Sequence, residues 1–171
     1  SSIDCLVCHD QTHTYKKWPP GAGYPVEEPK KFKGKKMFYP PDYNKVAQSV
    51  GRPDRKNCGT CHFYGGGGDG VKHGDLDSSL VDPSKSLDVH MNSEGANFTC
   101  VRCHTTDAHK IAGRCYKKPA AEELKSLIDD DLIDRITCVS CHTSQPHKPG
   151  HKANDHTDKV ACQSCHIPEF A

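Results

Sequence analysis

The chain has 171 residues, 34% of them hydrophobic and only 7% aromatic, and its 23 Lys and Arg nearly balance 22 Asp and Glu for a formal net charge of +1. So low an apolar content borders on that of disordered chains, which excludes a self-sufficient side-chain core. The balanced charge argues against a nucleic-acid binder, and the lack of any long apolar run excludes a direct membrane span within these residues.

The first element is Cys5-Leu6-Val7-Cys8-His9. The same unit returns as Cys58-Gly59-Thr60-Cys61-His62, Cys100-Val101-Arg102-Cys103-His104, Cys138-Val139-Ser140-Cys141-His142 and Cys162-Gln163-Ser164-Cys165-His166, and ten of the eleven cysteines belong to these five copies. Two thiols three positions apart can form thioethers with the two vinyl groups of one porphyrin, and the next residue sets an imidazole on the proximal face of its iron. A redox dithiol would need one such pair on a βαβ unit, which the sequence does not show. Tetrahedral zinc could consume paired cysteines but does not require histidine directly after each pair. The expected cofactors are therefore five haem c groups, with His9, His62, His104, His142 and His166 as proximal iron ligands. Five porphyrins would also supply the missing apolar core, at about 34 residues of chain per haem. The expected fold class is a multihaem cytochrome c in a single domain over 1–171, with mainly short helices and long irregular loops wrapped around closely packed haems, and little or no sheet. Each motif is expected to be a short helix.

The intervals between motifs are 48, 37, 33 and 19 residues, too uneven for a tandem repeat. The first holds Trp18-Pro19-Pro20-Gly21-Ala22-Gly23 and Tyr39-Pro40-Pro41, a density of proline and glycine that predicts extended loop. Its lysines 16, 17, 30, 31, 33, 35 and 36 are diluted by glutamate and proline and suit solvent or haem propionates better than nucleic acid. After the second motif, Gly65 to Gly68 lack the Gly-Lys-Ser or Gly-Lys-Thr of a phosphate loop. The run predicts backbone passing tightly against a porphyrin on its way to His73. Between the third and fourth motifs, Leu124, Leu127, Ile128, Leu132 and Ile136 predict one apolar helix face over 120–136, with Pro119 before it, covering a haem edge. Cys115, outside every motif, reads as a small buried residue or a thiol.

Seven histidines remain as candidate distal iron ligands: His13, His73, His90, His109, His147, His151 and His156. Seven exceeds five, so every haem could have two imidazole ligands, the arrangement suited to electron transfer. Met37 and Met91 are too few for general methionine ligation. Sequence order does not assign a histidine to an iron.

Beyond the motifs, the chain resembles the octahaem cytochromes c of the tetrathionate reductase family. The likeness runs along Asp4 to Asp10, Thr14-Tyr15-Lys16-Lys17 and Gly51-Arg52-Pro53 up to Asp77. It continues in Leu87-Asp88-Val89-His90, in Ile111 to Tyr116 and from His156 through Cys162 onward. The resemblance implies relay haems with two histidine ligands and one catalytic haem with a distal lysine, for which Lys16 or Lys17 is the counterpart. It also implies multi-electron reduction of tetrathionate, nitrite or hydroxylamine. Five motifs correspond to a middle portion of such a protein, with further haems before Cys5 and after Cys165. Asp10 would cap, solvate or hydrogen-bond a substrate.

Two functions follow as expectations. The first is electron transfer through five haems in extracytoplasmic anaerobic respiration, with redox proteins or other multihaem cytochromes as partners and end-to-end self-association as an extension. The second is part of a multihaem reductase, with Lys16, Lys17, Arg52 or Arg55 drawing an oxyanion to an open iron. Attachment of haem c after export points to the periplasm or cell exterior. A start at Ser1 without a signal sequence is expected of a processed chain or a fragment.

Overall fold

The computed structural model describes residues 3–18, 23–33, 36–72, 75–104, 106–107, 109–111 and 137–167. Contacts divide the chain between Asp82 and Pro83 into two compact units. The helix expected over 120–136, Cys115 and His73 lie outside the described residues.

In the first unit, helix α1 spans Cys5–His9, and the carboxylate of its N-cap Asp4 accepts the Val7 N–H. Where sequence predicts extended loop, the chain forms an antiparallel hairpin, β1 (Lys30–Phe32) with β2 (Lys36–Phe38), pairing Lys30 with Phe38 and Phe32 with Lys36. The reason is aromatic packing. Trp18 meets Phe32 and Phe38 edge-on, with ring centroids 5.4 and 5.2 Å away, while the flanking lysines stay exposed. Helix α2 (Tyr43–Gln48) starts where the Asp42 side chain accepts the Asn44 and Lys45 N–H groups, and it buries Val46. Helix α3 (Arg55–His62) begins with a capping box: the Asp54 carboxylate accepts the Asn57 N–H, and the Asn57 side chain accepts the Asp54 N–H in return. A 3-10 turn, η1 (Ser78–Val81), packs on α3, and the buried Arg55 guanidinium donates to the Val81 carbonyl at 3.1 Å.

The second unit is turns and short helical pieces. Buried Asn92 donates to the Pro83 carbonyl at 2.9 Å, and the Phe98 N–H closes onto the His90 carbonyl at 2.8 Å. There follow η2 (Cys100–Arg102), a two-residue pairing of β3 (Thr106–Asp107) with β4 (Lys110–Ile111), α4 (Cys138–His142), η3 (Lys152–His156) and α5 (Gln163–His166). Among the described residues the sheet content is thus two minimal hairpins, close to the expected near-absence of sheet. Apart from prolines, the buried apolar side chains among the described residues are Val26, Phe38, Val46 and Phe63, all in the first unit.

Candidate cofactor sites

Every Cys-x-x-Cys-His unit is a helical turn. The first is the whole of α1, the second the C-terminal part of α3, and the fourth the whole of α4. The third and fifth close their turns with His104 N–H to the Cys100 carbonyl at 2.9 Å and His166 N–H to the Cys162 carbonyl at 3.0 Å. On such a turn, residues three and four apart share a face, so both cysteines and the histidine present themselves on one side. The cysteines are exposed or half-buried rather than packed away. This donor set fits covalent attachment of one porphyrin per turn, with an imidazole beneath the iron. Among the described residues, no three His, Cys, Asp or Glu side chains converge as a tetrahedral zinc site requires.

In the first unit, α1 packs on α3. Burial pushes the Cys8 thiol above its ordinary pKa, with Cys61 of the other motif, Asp4 and Cys5 adding to the shift. The His9 ring places Nδ1 2.8 Å from the Gly51 carbonyl. A carbonyl only accepts, so Nδ1 carries the proton and the lone pair sits on Nε2, the tautomer that binds a metal. His13 takes a left-handed backbone (φ 56°) and sets Nε2 3.1 Å from the Asp54 carboxylate.

In the second unit, the fold brings candidate distal histidines to proximal ones. The His90 and His142 ring centroids are 5.9 Å apart at 61°, and those of His147 and His166 are 5.7 Å apart at 22°. Two imidazoles on opposite sides of one iron, each with a metal–nitrogen bond of about 2 Å, would have centroids about 6 Å apart. His147 also stacks on His151 at 5.6 Å, but their other bonds separate them. The Asn154 amide oxygen takes both the His147 N–H at 3.1 Å and His147 Nδ1 at 3.3 Å, while its nitrogen donates to the His147 and Lys148 carbonyls. His147 Nδ1 therefore donates, and Nε2 holds the lone pair. His151 Nδ1 instead accepts the Ala153 N–H at 3.2 Å as the N-cap of η3, the opposite tautomer. His109 and His156 are exposed, and His109 also has a left-handed backbone (φ 66°). Met37 is 40% exposed on β2, and Met91 N–H bonds the Asp88 carboxylate in a turn.

The lysines separate clearly. Lys16 is exposed, whereas the Lys17 side chain is 8% exposed, with Nζ 2.9 Å from Asp4 Oδ2. Tyr15 donates its hydroxyl to the same Asp4 oxygen at 3.1 Å. Arg52 is exposed, and Arg55 is engaged with Val81. Asp10 is neither solvated nor presented to a ligand. It is 1% exposed, and its carboxylate accepts Thr12 N–H and hydroxyl, Thr14 N–H and Tyr15 N–H at 2.6 to 3.0 Å. Burial pulls its pKa up, but these hydrogen bonds outweigh it and hold the group below the ordinary carboxylate range. The glycine run turns through Gly67 at φ 101°, and at Gly66 the missing side chain makes room for Asp75, whose Oδ2 would lie 2.6 Å from a Cβ.

Sequence reasoning missed Asn57 and Asn154, the asparagines that hold motif segments and the His147 tautomer. Each is an ordinary polar residue whose amide nitrogen donates to carbonyls six to fifty residues away. The one readable signal was Asp54 three residues before Asn57, a capping pair.

No family model matches the chain. An uncharacterized protein of Archaeoglobus fulgidus is 28% identical over 115 residues, covering 64% of this chain and 38% of that protein. The crystal structure of octaheme cytochrome c from Shewanella oneidensis is similar over 98% of this chain, with 45% identity and a TM-score of 0.67. The present chain spans only 32% of that cytochrome's length. With the short helices and loops described above, this likeness makes the fold class that of a multihaem cytochrome c, as the motifs led one to expect.

Proposed function

We propose that this chain is an electron-transfer segment carrying five covalent c-type haems, held at Cys5/Cys8, Cys58/Cys61, Cys100/Cys103, Cys138/Cys141 and Cys162/Cys165 with the following histidines as proximal ligands. The observation that carries the reading is the folding of all five motifs as helical turns with cysteines and histidine on one face. Its likeness to an octaheme cytochrome c supports it. Each haem, when bound, supplies a one-electron iron couple whose potential the protein tunes through ligand, hydrogen bonding and burial. The residues then have separate roles. His9 holds its proton on Nδ1 against Gly51, leaving Nε2 for iron. His90 would supply the second imidazole for the haem of α4, and His147 for the haem of α5, because their rings lie 5.9 Å from that of His142 and 5.7 Å from that of His166. His151 caps a turn and is not a ligand. Partners are redox proteins or other multihaem cytochromes, in an extracytoplasmic respiratory chain. No helix among the described residues is long and apolar enough to cross a membrane.

The test is a haem count by alkaline pyridine spectroscopy and intact mass, with electron paramagnetic resonance of the oxidised protein. Five haems and wholly low-spin iron are expected. His90→Ala and His147→Ala should each convert one low-spin signal to high-spin, and His151→Ala none. Fewer than five haems overturns the count. A high-spin iron in the unaltered protein overturns the pure carrier reading in favour of a catalytic one.

A further inference from the structure

Asn57 stands directly before the first cysteine of the second motif and is 5% exposed. It is shared by both motif helices of the first unit. Its Oδ1 accepts the Asp54 N–H at 3.0 Å, closing the capping box that starts α3. The same oxygen accepts Gln11 Nε2 at 3.1 Å, and its Nδ2 donates to the Asp10 carbonyl at 2.9 Å. Helix α1 has only five residues, so the carbonyls at its end need partners from elsewhere, and Asn57 supplies one from the neighbouring motif.

The segment it grips carries the proximal histidine. Residues 9–11 run antiparallel to 49–51, with Gly51 N–H to the His9 carbonyl at 2.9 Å and Gln11 N–H to the Ser49 carbonyl at 3.1 Å. His9 Nδ1 donates to the Gly51 carbonyl across this pairing. Gln11 passes so close that its Cγ lies 2.9 Å from where a Cβ on Gly51 would be, so the Gln11 side chain and the carbonyl that holds His9 are packed as one piece. Moving Asn57 moves Gln11 and Asp10, and with them the register that sets the Nδ1–carbonyl bond. That bond governs the orientation and basicity of an iron-binding imidazole, and so the iron's potential.

We propose that Asn57 is a positioning residue that locks the His9 imidazole to the start of α3, so that the haem sites of the first two motifs are set as one unit. The inference rests on the reading that both motifs carry haem. A cap alone would predict that loss of Asn57 lowers stability and leaves the haem properties untouched. A positioning role predicts that the His9 iron changes in folded, fully loaded protein.

The experiment compares the holoprotein with Asn57→Leu, which keeps the branched shape without the hydrogen bonds, and with Gln11→Ala, which removes one arm of the network. Haem content is measured first, then midpoint potentials by mediated titration and the low-spin resonance signals. The signal absent from His9→Ala identifies that haem. With five haems retained, Asn57→Leu should shift the g-values of the His9 signal and the potentials of two haems, and Gln11→Ala should shift the same signal less. Unchanged g-values and potentials in a fully loaded Asn57→Leu protein overturn the proposal. If Asn57→Leu loses haem, Gln11→Ala decides: a shift confined to the His9 signal supports the role, and none overturns it. Absence of haem on Cys5 and Cys8 in the unaltered protein overturns the haem reading itself, and is seen before any variant is compared.

Discussion

Asp4 joins local structure to charge at the first motif. It caps α1 through the Val7 N–H, pairs with the nearly buried Lys17 and accepts the Tyr15 hydroxyl. Burial raises its pKa, but the hydrogen bonds from Lys17 and Tyr15 and the charge of Lys17 outweigh this, so it titrates below its ordinary value. A carboxyl with a depressed folded pKa contributes stability that is present above its unfolded value near 3.9 and is lost as pH falls through the folded one. Acid should therefore loosen this end of the first unit below about pH 4, and Asp4→Asn should flatten that limb of a stability–pH curve. Tyr15 shows the opposite sign. Burial, then the Asp4 hydrogen bond and charge, push its pKa up to about 12. Its contribution is complete below the ordinary tyrosine value of about 10 and is lost as pH rises from there through the folded value. In Asp4→Asn, tyrosine NMR should find the Tyr15 titration moved part of the way back toward 10, since burial remains. An unmoved Tyr15 would show that Asp4 is not what holds its proton. The cluster also explains why sequence alone left Lys16 and Lys17 indistinguishable: adjacent lysines differ only in what the fold turns toward them.

At the scale of elements, the motif helices were the most legible part of the chain, because a fixed spacing chemically tied to one cofactor needs no tertiary context to be read. The β1–β2 hairpin was not legible. Its strands are Lys-Lys-Phe and Lys-Met-Phe, too short and too basic to show alternation, and their reason for pairing is Trp18, twelve residues before the first strand. The distal histidines were legible as a set and not as pairs, since pairing depends on loops such as 143–151 whose course local sequence does not determine. Element packing yields a sharper expectation at the second motif. A Cβ on Gly59 would sit 2.2 Å from ring carbons of Phe63, one turn on and only 4% exposed. The variable position of this motif is thus restricted by Phe63, the C-cap of α3. Gly59→Ala should cost about 1–3 kcal/mol through overpacking, although alanine is the better helix former. Phe63→Ala should cost roughly 3 kcal/mol or more by emptying a buried site. The double variant should be clearly less destabilised than the sum, because removing the ring removes the clash, and a thermodynamic cycle from denaturation midpoints measures the difference. Strict additivity would mean that Phe63 is not what excludes a side chain there.

For the whole molecule, the composition and the burial pattern lead to the same conclusion by different routes. Only 34% of residues are hydrophobic, and the buried apolar side chains among those described, prolines aside, are four, all in the first unit. Among its described residues, the second unit is held by turns, asparagine-to-carbonyl bonds and stacked imidazoles, each worth about 1 kcal/mol or less net, against roughly 1–2 kcal/mol of backbone entropy for every residue ordered. Such interactions do not order a chain unless an apolar body is placed among them, and five porphyrins would be that body. The two units should therefore respond unequally when the chain is made without haem attachment. The first retains Trp18, Phe32, Phe38 and Val46, enough for residual protection of the hairpin and α2, whereas residues 137–167 have no comparable cluster. Hydrogen exchange read by mass spectrometry on the haem-free chain should find slow amides confined to the segment from Lys30 to Gln48 and none in α4, η3 or α5. Supplying the attachment machinery should restore protection to all three. A haem-free chain that melts cooperatively, with α4 and α5 protected, would mean that the polypeptide makes its own core, and the dependence of the fold on its cofactors would be refuted.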